Sequence, residues 1–402
     1  MMISVHEADK RIQEETRILP AETVALRKAA GRVLREEICA DRDMPPFHRS
    51  IRDGIAVSRA AWLDGRRSFR IEATQLAGQP PRVLQDAAGG CIQIMTGAVL
   101  PDGCNGVLQY EDLAIDGDAA TVNPGVEMDD LQYVHPRASD RGVGDTILQP
   151  GCYLNGPRIG IVASTGKAMV RVAPFPRIAM LSNGDELVDV GQPIEPFQVR
   201  LSNNYAVAAA LERSGMPDVA VTHVPDDPGQ IETELARLLD AHDVIVLSGG
   251  VSAGKTDFIP AALERLSVRQ VFHKVSQRPG KPLWFGVSQS AQPVFALPGN
   301  PVSTLTCLQR YVVPHLGRMM GAIAVPTPTA IISDEIRFEP PLTSFRPVRE
   351  LDTERGTTLV SPVEYHGSGD HSALAASTGF VELDAETEVF AAGTRMPYTR
   401  WR

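Results

Sequence analysis

Residues 244–257 read Val244-Ile245-Val246-Leu247-Ser248-Gly249-Gly250-Val251-Ser252-Ala253-Gly254-Lys255-Thr256-Asp257. Four apolar residues without a charge predict a short buried strand. The glycines and serines that follow predict a turn leading into a helix around 261–266. Glycine lacks a Cβ, so this backbone can approach an anion closely, and free N–H groups and hydroxyls can donate to phosphate oxygens. On either side the same alternation continues. Strands are predicted at 178–181, 219–223, 271–275, 283–287 and 294–297. A helix over 206–211, capped by Ser202 or Asn203, ends near Gly215. Another starts at Pro228 and carries the stripe Ile231, Leu235, Leu238, Leu239. A long helix opens at Asn300-Pro301 and runs to about 318. Alternating strands and helices predict an open, mainly parallel α/β sheet over 177–323, with ligands beyond the carboxyl ends of its strands.

The flanking segments have a different texture. Ser4-x-x-Glu7 is a capping box that opens a helix with Val5, Ala8, Ile12 and Thr16 at helical spacing. A second helical patch holds Val24, Leu26, Ala29 and Ala30 and closes at Gly31. Residues 55–135 read as β-rich, with short runs at 69–71, 90–95, 106–110 and 120–122 between turn residues. The stretch 145–176 is mixed and turn-rich. After Gly321 the helices stop. Strands predicted at 331–338, 346–351, 357–360, 380–383 and 388–391 suggest a small β domain, a barrel or a sandwich.

The chain has 402 residues, room for two to four domains at roughly 150 residues each. With 43 % hydrophobic and 22 % charged residues, wholesale disorder, collagen and coiled coil are excluded. No apolar run approaches the ~20 residues of a membrane span, and residues 1–13 show no signal-peptide core. Lys and Arg number 39 against 49 Asp and Glu, a net charge of −10. That argues against broad binding of nucleic acid or anionic membranes but leaves room for a local cationic pocket. Cys39, Cys91, Cys104, Cys152 and Cys307 are scattered, odd in number and without a CxxC pair. They support neither a disulfide framework nor a cysteine zinc site, and a reducing cytoplasm fits.

Five loops can carry chemistry. In the Gly-rich loop, residues 249–256 also match G-x-x-x-x-G-K-T, the phosphate loop of NTPases. That rival reading needs a Mg²⁺-holding acid at a second strand end. The strands at 294–297 and 283–287 end in Pro298 and Ser288, which leaves Asp185. Leu297-Pro298-Gly299-Asn300-Pro301-Val302-Ser303 opens a helix with Asn300 at the cap and Pro301 at the first position, a second anion site. Arg278-Pro279-Gly280-Lys281-Pro282 is a proline-stiffened turn presenting two cations, or a solvated surface turn if it stands alone. Ser182-Asn183-Gly184-Asp185-Glu186, Asp226-Asp227 and Asp257 can direct carboxylates to one sheet edge, where a hard cation such as Mg²⁺ would offset their charge; each pair alone is more often a helix cap or turn. In the N-terminal half, Pro45-Pro46-Phe47-His48-Arg49-Ser50-Ile51-Arg52-Asp53-Gly54 supplies further charge. Thr96 in Ile94-Met95-Thr96-Gly97-Ala98 and Asp140 in Arg137-Ala138-Ser139-Asp140 add a hydroxyl and a carboxylate.

Together these segments, with Gly184-Asp185-Glu186-Leu187 and Ser202-Asn203, resemble the molybdopterin molybdenumtransferase family, bacterial MoeA and the homologous E domain of gephyrin, in order and spacing over nearly the whole chain. The resemblance implies a multidomain α+β and α/β subunit. Its parts would be an elongated N-terminal and linker domain (1–42 with 142–176), a β-rich insertion domain (43–141), a MogA-like α/β molybdopterin-binding domain (177–323) and a small C-terminal β-barrel domain (324–402). It implies a cytoplasmic homodimer, with the site in a cleft between the α/β domain of one subunit and the Asp53/Thr96 domain of the other. It implies insertion of molybdate into adenylylated molybdopterin, with Mg²⁺ and release of AMP. Molybdopterin adenylyltransferase and molybdoenzyme acceptors or chaperones would be the partners, and neither nucleic acid nor membrane.

Carried over by position, Asp53, Thr96, Asp140, Glu186, Asp226 and Asp257 would be catalytic. Ser248, Gly249, Gly250, Ser252, Gly280, Lys281, Pro298, Gly299, Asn300, Pro301 and Ser368 (in Gly367-Ser368-Gly369) would bind the pterin substrate. Asp185, Glu186, Asp226 and Asp257 would hold the metal. Arg52, Arg137 and Lys281 are candidate cations for molybdate. The family pattern S-A-M-D-G-Y reads Ser50-Ile51-Arg52-Asp53-Gly54-Ile55 here. Leu201 replaces the usual acidic or amide residue, and Lys255 stands where many relatives carry an acid. None of these changes removes the core polar set. A non-catalytic scaffold that retains the fold is the remaining alternative.

Overall fold

In the computed structural model, which describes residues 2–250, 258–338, 341–351, 356 and 358–401, the stretch at 244 is the third strand in chain order of a six-stranded sheet. Its elements are β1 (Ile178–Asn183), α1 (Ser202–Arg213), β2 (Val219–Val224), α2 (Pro228–Ala241), β3 (Val244–Ser248), α3 (Ile259–Arg265), β4 (Arg269–His273), β5 (Trp284–Val287) and β6 (Pro293–Leu297). The strand order is β2-β1-β3-β6-β5-β4. The first four are parallel; β5 and β4 are antiparallel to their neighbours. That departure has a local cause. Only five residues join β5 to β6, too few for the crossover that parallel strands require.

β1 and β3 are buried along their whole length. Alternate residues serve two cores, as the two-residue period of a strand dictates. Met180, Val244 and Val246 face a cluster with Val207 and Leu211. Leu181, Ile245 and Leu247 face another with Ile231, Leu235, Leu238 and Leu263. The chain leaves β1 for the edge strand β2 and returns to β3 on the other side, so the order reverses between β1 and β3. Such a reversal opens a crevice at the carboxyl ends of the two strands.

Local signals explain most helix ends, and the exceptions are instructive. Ser4 caps the helix Val5–Glu14 by accepting from Glu7 N at 3.1 Å, while the Glu7 carboxylate turns to Arg11 instead of closing the box. Asp227 caps α2 by accepting from Gln230 N at 2.8 Å. The patch at 24–30 is not a regular helix. It forms the strand Glu22–Ala25, paired with Met169–Val172, and a single 3₁₀ turn, Leu26–Lys28. α1 starts after Leu201 without a side-chain cap. The predicted helix to 318 is three pieces: α4 (Pro301–Cys307), a π-helical turn Leu308–Val312, and Val313–Met319. Pro314 lacks the N–H that would bond Arg310 and would crowd that carbonyl, so the turn widens.

The C-terminal strands β7 (Thr329–Ile332), β8 (Thr343–Leu351), β9 (Leu359–Pro362), β10 (Gly379–Leu383) and β11 (Arg395–Arg400) close in the ring β8-β9-β7-β11-β10, with β10 pairing back to β8. The closed ring makes this domain a barrel rather than a sandwich. The sequence reading missed β11 and fused β7 with a separate short strand, Ile336–Arg337. The segment Gln277–Arg278 adds to β8 in parallel.

By contacts the chain forms two compact units. One is Met1–Arg35 with Gly151–Asn155 and Val170–Arg402; the other is Glu36–Pro150 with Gly156–Met169. The second unit is built on a six-stranded sheet in the order Gly106–Gln109, Gly54–Val57, Gly90–Ile94, Ser68–Gln75, Ala119–Val122, Leu113–Asp116. Among the described residues no helix is long and apolar enough to cross a membrane.

Candidate functional site

Register places the functional loops side by side. Ser182 of β1 pairs with Ser248 of β3, which pairs with Leu297 of β6. The turns after these three strands therefore emerge at one level. The second and third are in contact: Gly249 N donates to Leu297 O at 3.1 Å, and a Cβ on Gly299 would lie 3.5 Å from Gly249 Cα. Gly250 has φ +64, and a Cβ there would lie 2.6 Å from Ile259 Cγ1 and 2.9 Å from Asn183 Oδ1. Any other residue would have to displace the loop.

Asn203 does not cap α1. Its amide nitrogen faces Ser248 Oγ at 2.9 Å, Gly299 O at 2.8 Å and Thr304 Oγ1 at 3.2 Å. One side chain thus ties the end of β3 to the turn before α4. Thr304 Oγ1 also donates to Pro298 O at 2.6 Å. Asn300 occupies the cap position of α4, but its side chain donates outward to Ser368 Oγ at 2.8 Å rather than capping. Ser368 O in turn accepts from Val302 N at 3.1 Å, within the first turn of that helix. Ser368 and Asn300, 68 positions apart, share one site. Asp370 secures the Ser368 loop. It accepts from Ser372 Oγ at 2.7 Å and from His366 N at 3.0 Å, and these bonds hold its pKa far below the usual carboxylate range.

The carboxylates gather less tightly. Asp185 Oδ1 accepts from Asp226 N at 3.1 Å, and Asp226 Oδ1 accepts from Asn183 Nδ2 at 2.6 Å. Asp185 and Glu186 are exposed and Asp226 half-buried. Among the described residues no three His, Cys, Asp or Glu side chains form a group able to hold a metal ion. Two neighbouring carboxylates still suit Mg²⁺, which usually takes one or two protein carboxylates and completes its octahedron with water and substrate phosphates. Asp257 lies outside the described residues, as do Ser252, Lys255 and the rest of 251–257, so of the NTPase motif only Gly249 and Gly250 are among the described residues.

The cationic turn is a built feature rather than a solvated one. Pro279 and Gly280 are buried while Arg278 and Lys281 are exposed. Val275 N donates to Lys281 O at 2.9 Å, and Leu283 N to Gly280 O at 3.1 Å. Arg278 lines a cavity of about 210 Å³ with Arg346, Arg337, Ser344 and His366. Arg346 Nε is buried and has no hydrogen-bond partner among the described residues, and its guanidinium stacks 4.8 Å from the Tyr365 ring centre. A buried donor left open on Arg346, beside the exposed Arg278, fits an oxyanion. Sequence reading noted Arg278 for its charge, but Arg346 belongs to a different domain and gave no local signal. A larger open hollow of about 770 Å³ near Arg66 and Arg67 holds none of the candidate residues.

In the second unit, Asp53 and Thr96 meet. Thr96 N donates to Asp53 Oδ1 at 2.6 Å and Thr96 Oγ1 donates to the same oxygen at 2.8 Å. These two bonds, the backbone one first, hold the Asp53 carboxyl below its ordinary pKa. Gly54 lets the strand close up behind it, since a Cβ would lie 1.9 Å from Leu108 O. Asp140 Oδ1 lies 2.8 Å from His135 Nε2. Arg137 is paired with Asp43 at 2.5 Å, and the Arg52 guanidinium sits 5.8 Å from the Tyr133 ring centre.

Three family models cover these parts. The MoeA N-terminal region (domain I and II) matches residues 3–166, a probable molybdopterin binding domain matches 179–318, and the MoeA C-terminal region (domain IV) matches 329–401. The architecture is therefore that of a MoeA-type multidomain protein with an α/β molybdopterin-binding domain. A molybdopterin biosynthesis MoeA protein of Pyrococcus horikoshii OT3 shares this fold over the whole of both chains, with a TM-score of 0.82 at 24 % identity. A molybdopterin molybdenumtransferase of Synechocystis is 38 % identical over 402 residues and all of both chains. One from Staphylococcus aureus is 29 % identical, over 97 % of this chain and 94 % of that protein. The chain belongs to the molybdopterin molybdenumtransferase family.

Proposed function

We propose that this enzyme acts in molybdenum cofactor biosynthesis, inserting molybdate into adenylylated molybdopterin with release of AMP. One observation carries the reading. His366 and Gly367 line the cationic cavity, while the next residue, Ser368, binds Asn300 at the anion turn before α4. A site for an oxyanion and a site for a phosphorylated ligand therefore adjoin along one loop. The comparisons do not favour the NTPase alternative, since the relatives carry the transferase name over the whole chain.

The loops divide the work. Ser248, Gly249, Gly250 and Ser252, with Gly280, Lys281 and the Pro298–Pro301 turn, form the cradle for phosphates and pterin; the Gly249 N–H holds Leu297 O, and hydroxyls, the remaining N–H groups and one ammonium are the donors to the ligand. Arg278 and Arg346 neutralise molybdate, with Ser368 as a hydroxyl donor between the two ligands. Asp185, Glu186, Asp226 and Asp257 would hold Mg²⁺, which offsets charge as the phosphoanhydride opens. Asp53, Thr96 and Asp140 act from a second copy of the chain in a homodimer and orient the reacting groups. Five free thiols fit a reducing cytoplasm, where an adenylyltransferase would supply the substrate and molybdoenzymes or their chaperones would take the product.

The test is AMP release from adenylylated molybdopterin with Mg²⁺, with and without molybdate. Molybdate-dependent release is expected. Tight pterin binding without release would replace this reading with a scaffold.

A further inference from the structure

We propose that Gln277 is a positioning residue for the oxyanion site, locked by Tyr311 so that Arg278 is presented to molybdate in one fixed direction. The proposal rests on the cationic cavity being the molybdate site.

Gln277 is fully buried, although its neighbour Arg278 is exposed. Its backbone is held by pairing with Thr343, and Arg278 pairs with Ser344, a wall of the cavity. Its side chain folds past Arg278 and donates from Nε2 to Pro279 O at 3.2 Å. Arg278 is thus clamped from both sides, by the backbone at 277 and by the carbonyl at 279. Gln277 Oε1 accepts from Tyr311 Oη. Tyr311 is 1 % exposed, and burial pushes its phenol well above the ordinary value, so it keeps its proton and can donate. Pro279 O settles the orientation of the amide: it can only accept, so Nε2 faces it and Oε1 is left for the phenol, and a flipped amide would set two acceptors against each other.

The space around the amide is filled. Nε2 lies 3.5 Å from Cys307 Sγ. A Cβ on Gly280 would sit 2.4 Å from that sulfur and 2.6 Å from Nε2. Tyr311 and Cys307 belong to the π-helical turn and to α4, the helix whose first turn carries the Asn300–Ser368 contact. The cationic turn and the anion turn are therefore fastened to the same helix.

The experiment measures molybdate binding to the whole chain by calorimetry, with molybdate alone as probe, alongside AMP release. Tyr311→Phe removes one hydroxyl and keeps the packing. It is expected to weaken molybdate binding about tenfold, raise the molybdate KM to match, and leave kcat at saturating molybdate unchanged. Gln277→Met should do the same. In an Arg278→Ala background Tyr311→Phe should add little, because the residue it orients is gone. A molybdate Kd within twofold of the unaltered chain in both single variants, or full additivity with Arg278→Ala, overturns the proposal. Calorimetry needs no turnover. Binding without AMP release would fail the functional reading and leave this inference standing; no molybdate binding by the unaltered chain would end it.

Discussion

Asn300 and Ser368 are joined by a 2.8 Å hydrogen bond from the amide of one to the hydroxyl of the other, and Ser368 O receives the N–H of Val302. The residue at the helix cap thus leaves its capping role to a loop of the barrel domain. Ser368→Ala keeps the backbone bond and removes the hydroxyl. A lost hydrogen bond of about 1 kcal/mol corresponds to a several-fold effect. We expect a several-fold rise in KM for adenylylated molybdopterin, with a thermal midpoint close to that of the unaltered chain. An unchanged KM would remove Ser368 from the site.

Asn203 carries three polar contacts between the end of β3 and the turn before α4. Asn203→Ala leaves Ser248 Oγ, Gly299 O and Thr304 Oγ1 short of a donor. We expect a loss of about 1–3 kcal/mol in denaturant unfolding, from the unsatisfied groups. Pterin binding should suffer more than that of a neutral surface variant, and Asn203→Asp, which cannot donate, should behave no better than alanine.

Asp53 holds its negative charge because Thr96 donates to it twice. Its folded pKa is lowered, so the stabilising effect of this contact is full above the unfolded value near 3.9. It is lost as pH falls through the lowered folded value. Asp53→Asn should flatten that acid limb in a stability-versus-pH titration. In the activity assay Asp53→Ala should lower cofactor yield at least tenfold, and Thr96→Val, which keeps the backbone bond, should fall between. Near-normal yield in both would sink their assignment to catalysis.

His315 is buried against Phe285 and Phe295, with Nδ1 3.2 Å from Thr16 Oγ1 and Nε2 without a partner among the described residues. Burial, assisted by Arg318, pushes its pKa down to about 3. The folded state keeps it neutral while the unfolded chain binds a proton near pH 6.5. Stability therefore falls as pH drops from about 6.5 towards 3, by an amount on the order of a few kcal/mol. His315→Met should remove most of that slope in chemical denaturation followed between pH 7 and 4.

The sequence by itself determined the α/β order, because strand and helix periods alternate from 178 onward and each turn advertises its glycines and prolines. Turn chemistry in the sequence pointed to Ser248 and Asn300, while Asp53, Thr96 and Ser368 were marked as candidates by the resemblance of their motifs to the family. Where it erred, a partner distant in the chain had outbid a local preference. Asn203 suits a cap, yet Gly299 O and Ser248 Oγ offer it better-placed partners. Asn300 caps by position but spends its amide on Ser368. The antiparallel β5 and the break at Pro314 are exceptions of another kind, since a five-residue connection and a missing N–H are both written in the sequence and the reading passed over them. Arg278 showed in the sequence as a cation on a stiff turn, but its meeting with Arg346, and the Gln277–Tyr311 lock beneath it, left no trace in any local pattern. A pocket and a buried hydrogen bond depend on which residues meet in space, and only the tertiary structure decides that.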